Sequence, residues 1–209
     1  MKILQGLLSA IAAGFCIGLG GAVFLLQSEK LVGALLFCVG LYTICEMQFH
    51  LFTGRVCYAL EQPLWSWFRF PLIWIGNWLG AGLAASLLGL TRVGPVARQA
   101  ALVLVAGKNG DTLLSLFILG FFCNIFVFIA VEGYKTFPLA LGKYLAIFVS
   151  ITVFIMSGYE HSVADMFYYF MAGQMDQEAL VRLLVITGGN ICGGLTAWGA
   201  RQAARKAAG

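Results

Sequence analysis

Residues 160–165 have the sequence EHSVAD, and this polar stretch interrupts an apolar run long enough to span a bilayer. A similar interruption, HLFTGR, occurs at residues 50–55. Charged side chains at membrane depth are costly and usually mark a path for ions or substrates. Paired interruptions in the two halves of a transporter typically lie at its central site. The two stretches therefore predict two broken helices that meet at a transport site.

The composition indicates a membrane protein. Hydrophobic residues make up 61% of the 209 residues and charged residues 11%, whereas soluble domains carry about 25% charged residues. The first apolar run is too long for a signal peptide and is interpreted as a first span. Little of the chain is left for a soluble domain, so residues 1–209 are expected to form a single transmembrane channel domain. Runs of about 20 apolar residues predict six spans, at residues 3–27, 31–60, 67–90, 112–133, 138–172 and 178–200.

The two halves of the chain resemble each other beyond the interruptions. The third span contains G-N-x-x-G at residues 76–80, and the sixth contains it at residues 189–193. Because each half has three spans, the second half must enter the membrane from the opposite side. The sequence therefore predicts an all-α membrane protein of six transmembrane helices. These form two inverted three-helix repeats, at about residues 1–90 and 112–200, with the second and fifth helices broken at midplane.

The repeated motif has a structural interpretation as well as a functional one. Small residues four positions apart let helix backbones approach closely, so the glycines are interpreted mainly as packing residues. The buried amides of Asn77 and Asn190 need hydrogen-bond partners, which are either a neighbouring helix or the pore lumen. Between the repeats, a short interfacial helix is predicted at residues 96–106.

Charge and cysteine patterns exclude several functions. The net charge is +4, and no run of Lys and Arg could follow a phosphate backbone, so nucleic acid is not an expected partner. Loops on the side of the termini hold slightly more Lys and Arg than the others, which favours cytoplasmic termini. The six cysteines lie in predicted helices without a C-x-x-C motif, so neither a disulfide framework nor a zinc site is expected.

The motifs resemble those of a known family. Residues 158–167, GYEHSVADMF, resemble the signature of the formate/nitrite transporter family, usually G-x-E-H-S-x-A-N-M, and LFTG at residues 51–54 resembles its partner motif. The resemblance covers essentially the whole chain. It implies a homopentamer in which every protomer has an aquaporin-like fold and its own pore. It implies passage of small monovalent anions of weak acids, such as formate, nitrite or hydrosulfide, without a cofactor. A prokaryotic plasma membrane is the expected location.

The resemblance also implies a site, with a central His161 close to Thr53. Thr53 and Ser162 are expected to cap the two half-helices, whose free N–H groups attract anions. Lys108 is either a vestibule cation or a solvated loop lysine. The candidate pore residues are His161, Thr53, Asn124, Asn190, Ser162 and Lys108. Helical spacing and proximity to these residues predict apolar constrictions at Leu51, Phe52, Phe37, Leu41, Val127 and Phe154.

Three residues depart from the family pattern. His50 replaces the usual Glu, whereas Arg55 and Asp165 each replace an Asn. A basic residue at position 55 resembles the hydrosulfide-type branch. Arg55 and Asp165 occupy equivalent positions in the two repeats, so we predict that they form a buried ion pair. The alternatives are a capping box for Asp165 and snorkelling for Arg55.

Two other functions remain open at this point. An aquaporin-type pore would pass small neutral solutes, but its N-P-A boxes are absent. An integral-membrane enzyme could use His50, Glu160, His161 and Asp165. Adjacent residues such as Glu160 and His161 point about 100° apart on a helix, which is poor geometry for binding a metal. The sequence therefore favours a channel over an enzyme.

Overall fold

The chain folds into an all-helical bundle in a computed structural model that describes residues 2–208. Two short 3₁₀ turns, Ala59–Glu61 and Leu64–Ser66, lie within the connecting segment of residues 57–68. The α-helices within the described range are α1 (Lys2–Leu25), α2 (Lys30–Met47), α3 (Phe52–Val56), α4 (Arg69–Gly89), α5 (Gly94–Gly110), α6 (Leu113–Thr136), α7 (Ala140–Met156), α8 (Ser162–Ala172) and α9 (Gln177–Ala208).

Five helical segments in residues 2–208 are long and apolar enough to cross a membrane, by length and composition. The helix α7 is apolar but shorter, at 17 residues. Large apolar side chains such as Leu35, Val149 and Leu184 are exposed on the outside of the bundle, as expected for a surface that faces lipid or another subunit. The segments are Ile3–Leu25, Lys30–Met47, Leu64–Gly89, Leu113–Thr136 and Gln177–Ala207.

The helical runs break at the two polar stretches. The helix α2 ends before Gln48, which adopts a left-handed conformation with φ 57°, and the five-residue α3 starts at Phe52. The helix α7 ends before Gly158, with φ 70°, and α8 starts at Ser162. Glycine enters this left-handed region at little cost. Each break thus returns the chain toward the bundle interior.

The helix between the two halves is longer than predicted. The predicted interfacial helix covers residues 96–106, whereas α5 spans Gly94–Gly110. Pro95 at its first turn is compatible with a helix start, because the missing N–H would have no helical partner there. The extension matters because it puts Lys108 on the last turn of α5.

Glycines allow two pairs of helices to pack at backbone distance. A Cβ at Gly80 of α4 would lie 2.0 Å from the carbonyl oxygen of Ile11 in α1. A Cβ at Gly193 of α9 would lie 1.9 Å from the carbonyl oxygen of Phe121 in α6. Any side chain there would push the helices apart. The packing interpretation of the G-N-x-x-G motif therefore agrees with the structure.

Candidate transport site

Asn77 of α4 braces the first break through its side-chain amide. Its Oδ1 accepts the backbone N–H of Phe52, the first residue of α3, at 2.8 Å. Its Nδ2 donates to the carbonyl oxygens of Ala10 and His50, at 2.7 and 3.0 Å. The first N–H groups of a helix lack partners within the helix. The buried amide supplies one of these missing partners.

Asn190 of α9 makes the same set of hydrogen bonds at the second break. Its Oδ1 accepts the N–H of Ser162, the first residue of α8, at 3.0 Å. Its Nδ2 donates to the carbonyl oxygens of Gly120 and Glu160, at 2.8 and 2.9 Å. Asn190 is fully buried and is not among the residues that line the two cavities described below.

Asn124 of α6 forms hydrogen bonds to residues at both breaks. Its Nδ2 donates to the carbonyl oxygen of Asn190 at 2.7 Å and to that of Thr53 at 3.2 Å. The side chain is fully buried. In this structure Asn124 and Asn190 bind backbone rather than line a cavity, and a role of either amide in the pore stays a prediction.

His161 both caps α8 and contacts Thr53. Its Nδ1 accepts the backbone N–H of Ala164 at 3.1 Å, and its Nε2 lies 2.9 Å from the Thr53 hydroxyl oxygen. A ring nitrogen that accepts a hydrogen bond carries no proton, so this geometry assigns the neutral ring with its proton on Nε2. His161 therefore presents an N–H donor without a fixed charge at the point where α3 and α8 meet, here called the junction.

The prediction that Thr53 and Ser162 cap the half-helices is wrong. The N-cap residues are Leu51 for α3 and His161 for α8. Each half-helix begins earlier than expected, because a buried Asn binds the N–H of its first residue. The Ser162 hydroxyl is buried without a hydrogen-bond partner among residues 2–208. The N–H groups of Ser162 and Ala164, which were expected to attract an anion, are occupied by protein side chains.

A cavity of about 210 Å³ lies on one side of the junction, and His161 lines it together with Phe37 and Phe154. The Phe154 ring stacks on the imidazole with centroids 5.8 Å apart and planes inclined by 16°. The Phe37 ring meets Phe154 edge-on at 6.4 Å. Two other predicted constriction residues, Leu41 and Val127, are buried and are not part of this lining. Aromatic rings thus flank the imidazole on this side.

A second cavity, of about 680 Å³, lies on the side of the first break and includes His50 in its wall. Its wall contains the carboxylates of Glu61 and Glu132 but a larger number of cations. The excess of positive charge makes this cavity attractive to anions. The cationic residues in its wall are Arg55, Arg69, Lys135, Arg201 and Arg205.

Two buried apolar residues, Leu51 and Phe52, separate His50 from Thr53 along the chain. The chain passes from His50 in the larger cavity to Thr53 at the imidazole through Leu51 and Phe52. Leu51 is 2% exposed and Phe52 is 4% exposed, and neither lines the larger cavity. Leu51 and Phe52 are thus buried next to Thr53, and their role as a constriction stays a prediction.

The predicted ion pair between Arg55 and Asp165 is wrong. Asp165 pairs with Lys108, whose Nζ lies 2.8 Å from Oδ1, and Lys108 also pairs with Glu160. Arg55 is exposed in the larger cavity. Equivalent positions in two repeats need not be neighbours, and α5, which lies outside both repeats, brings Lys108 to Asp165 instead. Lys108 is thus neither a solvated loop lysine nor an unpaired vestibule cation.

A second polar cluster was not predicted from the sequence. Glu132 of α6 accepts a hydrogen bond from the Tyr58 hydroxyl at 2.7 Å and forms an ion pair with Arg201 of α9. The Lys135 ammonium lies 3.7 Å from the centroid of the Tyr58 ring. The signal was available, because Glu132 is the one charged residue of its apolar run, residues 112–133.

Comparisons with known proteins agree with this architecture. Residues 1–202 match the family model described as formate/nitrite transporter. The chain is 28% identical over 185 residues to the formate channel FocA of Haemophilus influenzae, which covers 77% of the chain and 63% of that relative. It is 32% identical over 150 residues to the uncharacterized transporter YrhG of Bacillus subtilis, which covers 66% of the chain and 56% of that relative. The chain thus spans less than two thirds of the length of either relative.

Two solved structures share the fold. A pentameric formate channel with formate bound superimposes with a TM-score of 0.82 at 23% identity, covering 96% of each chain. An FNT family ion channel gives a TM-score of 0.82 at 26% identity, covering 95% of this chain and 89% of the other. The family and these relatives are channels and transporters, which rules out the alternative of an integral-membrane enzyme. The polar breaks, the braced half-helices and the family match over residues 1–202 together show that this chain belongs to the formate/nitrite transporter family.

Proposed function

We propose that the chain forms a membrane channel for small monovalent anions of weak acids, in the formate, nitrite or hydrosulfide class. The family match and the formate channel of Haemophilus influenzae support an anion as the substrate. Arg55, the basic residue after the Thr-Gly pair, is the reason to keep hydrosulfide among the candidates.

The contact between His161 Nε2 and the Thr53 hydroxyl, at 2.9 Å, carries the proposal. It joins the two half-helices, and both side chains are buried. An anion at this point would accept the imidazole N–H and could take the Thr53 hydroxyl as a second donor, and hydrogen bonds to a charged acceptor are strong. Because neither donor carries a fixed charge, the anion is not trapped.

Apolar walls on both sides of this point favour passage of the substrate together with a proton. Phe37 and Phe154 flank His161 in the smaller cavity, and Leu51 and Phe52 lead to the larger one. Moving a bare anion through an apolar passage without hydrogen-bond partners is expensive. Protonation of the anion of a weak acid gives the neutral acid and removes that cost, whereas chloride, the anion of a strong acid, cannot use this route.

The assembly and the orientation are also proposals. A pentamer with one pore per protomer is supported by the pentameric formate channel that shares the fold. Two inverted repeats are supported by the matching hydrogen bonds of Asn77 and Asn190 at the two breaks. Ile3 and Arg205 lie in the wall of the same cavity, which supports termini on one side of the membrane. The slight excess of Lys and Arg in the loops on that side supports the cytoplasmic face of a prokaryotic plasma membrane.

Flux measurements in liposomes test the proposal. The purified protein is reconstituted, and uptake of formate, nitrite, hydrosulfide, lactate and chloride is compared at two pH values with protein-free liposomes as the control. We expect flux of one or more weak-acid anions and little flux of chloride. Permeation of water or glycerol without any anion flux would favour the aquaporin-type alternative and refute the proposal.

A further inference from the structure

Three ionisable side chains meet in the wall of the smaller cavity, the one that His161 lines. Lys108 pairs with Glu160 and with Asp165, the latter at 2.8 Å. The side chains are 11%, 8% and 2% exposed, in the same order. We call Lys108, Glu160 and Asp165 the acid–lysine triad.

The triad has one carboxylate more than it has cations. If all three groups are ionised, its charge is −1 in a buried site, and it faces a cavity that is proposed to admit an anion. The second oxygen of Asp165, Oδ2, is buried and has no hydrogen-bond partner among residues 2–208. Glu160 and Asp165 both contact the Lys108 ammonium, so their two carboxyl groups lie close to each other. Two ionised carboxylates at this separation repel each other, whereas one proton bound to the pair removes the repulsion.

His161 cannot hold an additional proton without losing a structural contact. Its Nε2 already carries the proton directed at Thr53, and its Nδ1 accepts the N–H of Ala164 at the start of α8. Protonation of Nδ1 would remove this cap from the start of α8. His161 is therefore a poor source of the proton that a weak-acid anion needs for an apolar passage.

Other ionisable groups near the triad do not supply a second full cation to Asp165. Lys30 lies in the wall of the same cavity, but it is exposed and its ammonium donates to the carbonyl oxygen of Met156. Arg182 of α9 donates to the carbonyl oxygens of Lys108 and Asp111. Of the other helices packed on α8, α1 and α4 carry charged residues only at their first positions, and α3 carries Arg55, which lies in the wall of the larger cavity. The ionisable side chains that face the triad without a formal charge are Cys123, Tyr168, Tyr169 and His161.

We propose that the acid–lysine triad binds one exchangeable proton and transfers it to the anion held at His161. In this step the O–H bond of the protonated carboxyl group breaks and a bond forms between that proton and the acceptor atom of the anion. No electrons are gained or lost. The triad then carries a charge of −1 until a proton from water in the cavity restores it. The transfer step depends on the proposed anion channel, whereas the proton-binding site does not.

The departure of this chain from the family pattern is central to the inference. With the usual Asn at position 165, one lysine would face one carboxylate and no surplus acid would exist. Asp165 supplies that surplus, and Lys108 lies close enough to stabilise the site when the proton leaves. Because ligand binding and proton binding at neighbouring sites affect each other equally, an anion at His161 should increase the affinity of the triad for its proton.

Infrared difference spectroscopy on the reconstituted full chain tests the proton-binding site without using transport. We expect wild-type protein at neutral pH to show the carbonyl stretch of a protonated carboxylic acid, which shifts in D₂O and disappears at alkaline pH. Asp165→Asn should lose this band. The matched control, Asp176→Asn, should keep it, because Asp176 caps the start of α9 and Asn caps equally well.

Two results would overturn the site. One is a wild-type spectrum without the band at neutral pH, which needs no variant and so does not depend on whether Asp165→Asn folds. The other is a band that persists in both Asp165→Asn and Glu160→Gln, because the proton would then belong to another group.

Formate exchange at equal pH on both sides of the liposome tests the transfer step. In wild type, flux per protein should rise with falling pH over the interval in which the band appears, by about tenfold per pH unit at most. Asp165→Asn should lack this rise, whereas Asp176→Asn should keep it. An unchanged pH profile in Asp165→Asn would refute the transfer. Absence of anion flux in wild type, together with a titrating band, would refute the channel but leave the proton-binding site in place.

Discussion

At the scale of single residues, three contacts determine what His161 can do. The Ala164 N–H occupies Nδ1, the Thr53 hydroxyl lies at Nε2, and the Phe154 ring covers one face. A histidine held in this way is a fixed, uncharged donor rather than a group that changes its charge during transport. The same ring therefore has a structural role at α8 and a proposed functional role in the pore.

Two substitutions of His161 separate these roles. His161→Asn keeps a side chain that can cap α8, whereas His161→Ala removes both the cap and the donor. We expect both variants to reduce anion flux in liposomes by about tenfold or more, because hydrogen bonds to charged groups are worth about 1.5–3 kcal/mol. Only His161→Ala should lower the free energy of unfolding, by about 1 kcal/mol. Wild-type flux in both variants would leave His161 with a structural role alone.

The asparagines of the two breaks give a second prediction. Asn190→Ala removes three hydrogen bonds and leaves the N–H of Ser162 buried without a partner. At about 1 kcal/mol per bond, the loss of stability should be about 3 kcal/mol, measured by unfolding in detergent. Asn77→Ala should cost a similar amount. The control is Gln99→Ala, which removes an exposed amide on α5 and should cost about 1 kcal/mol or less. Equal stability of all three variants would contradict the bracing role.

At the scale of helices, the bundle depends on glycines where α9 crosses α6. Gly193 has no room for a side chain, because a Cβ there would lie 1.9 Å from the Phe121 carbonyl oxygen. Gly199 lies further along the same helix and has no other described atom within 4 Å of the position of a Cβ. The two glycines thus share a helix but differ in their surroundings.

This difference predicts opposite effects of the same substitution. Gly193→Ala should force α9 away from α6 and reduce both thermal stability and flux. Gly199→Ala should be neutral or stabilising by about 0.5–1 kcal/mol, because Ala favours the helix. Thermal unfolding of the two purified variants in one detergent provides the measurement. A Gly193→Ala protein as stable as Gly199→Ala would show that the helices are not packed at backbone distance.

At the scale of the whole molecule, the two cavities differ in electrostatic character. The larger cavity is rich in unneutralised cations, whereas the smaller one contains the acid–lysine triad and aromatic rings. An anion that enters through the larger cavity would therefore be concentrated before it meets the apolar residues Leu51 and Phe52. The charge distribution favours capture at one end of the path and proton exchange at the other.

The salt dependence of flux tests this capture. Arg55→Gln removes a cation from the larger cavity and should slow anion flux severalfold at low ionic strength. The difference should shrink at high ionic strength, because about 1 M salt screens exposed charges beyond about 3 Å. Arg92→Gln is the control, because Arg92 is exposed and outside the wall of either cavity. An Arg55→Gln effect that does not depend on salt would argue against electrostatic capture.

The positions of the helices and breaks were largely predictable, for a physical reason. A bilayer restricts spans to apolar runs of a certain length and makes polar residues inside them conspicuous. Both interruptions, at residues 50–55 and 160–165, coincide with breaks in the helices. The caps were not predictable, because the residues that bind the first N–H groups, Asn77 and Asn190, are distant in sequence.

The amino-acid sequence by itself determined the membrane class, the helical runs, the places where they break and the family. These properties depend on local composition and on motifs, which can be read without knowing which helices are neighbours. Only the tertiary structure decided the partner of Asp165. The symmetry of the repeats predicted Arg55 as the partner of Asp165, but the residue that pairs with Asp165 is Lys108 of α5. The energy of an ion pair depends on the distance between the two charges in space. Lys108 lies close to Asp165 although it is outside the repeats, whereas Arg55 occupies the equivalent repeat position but lies in the other cavity.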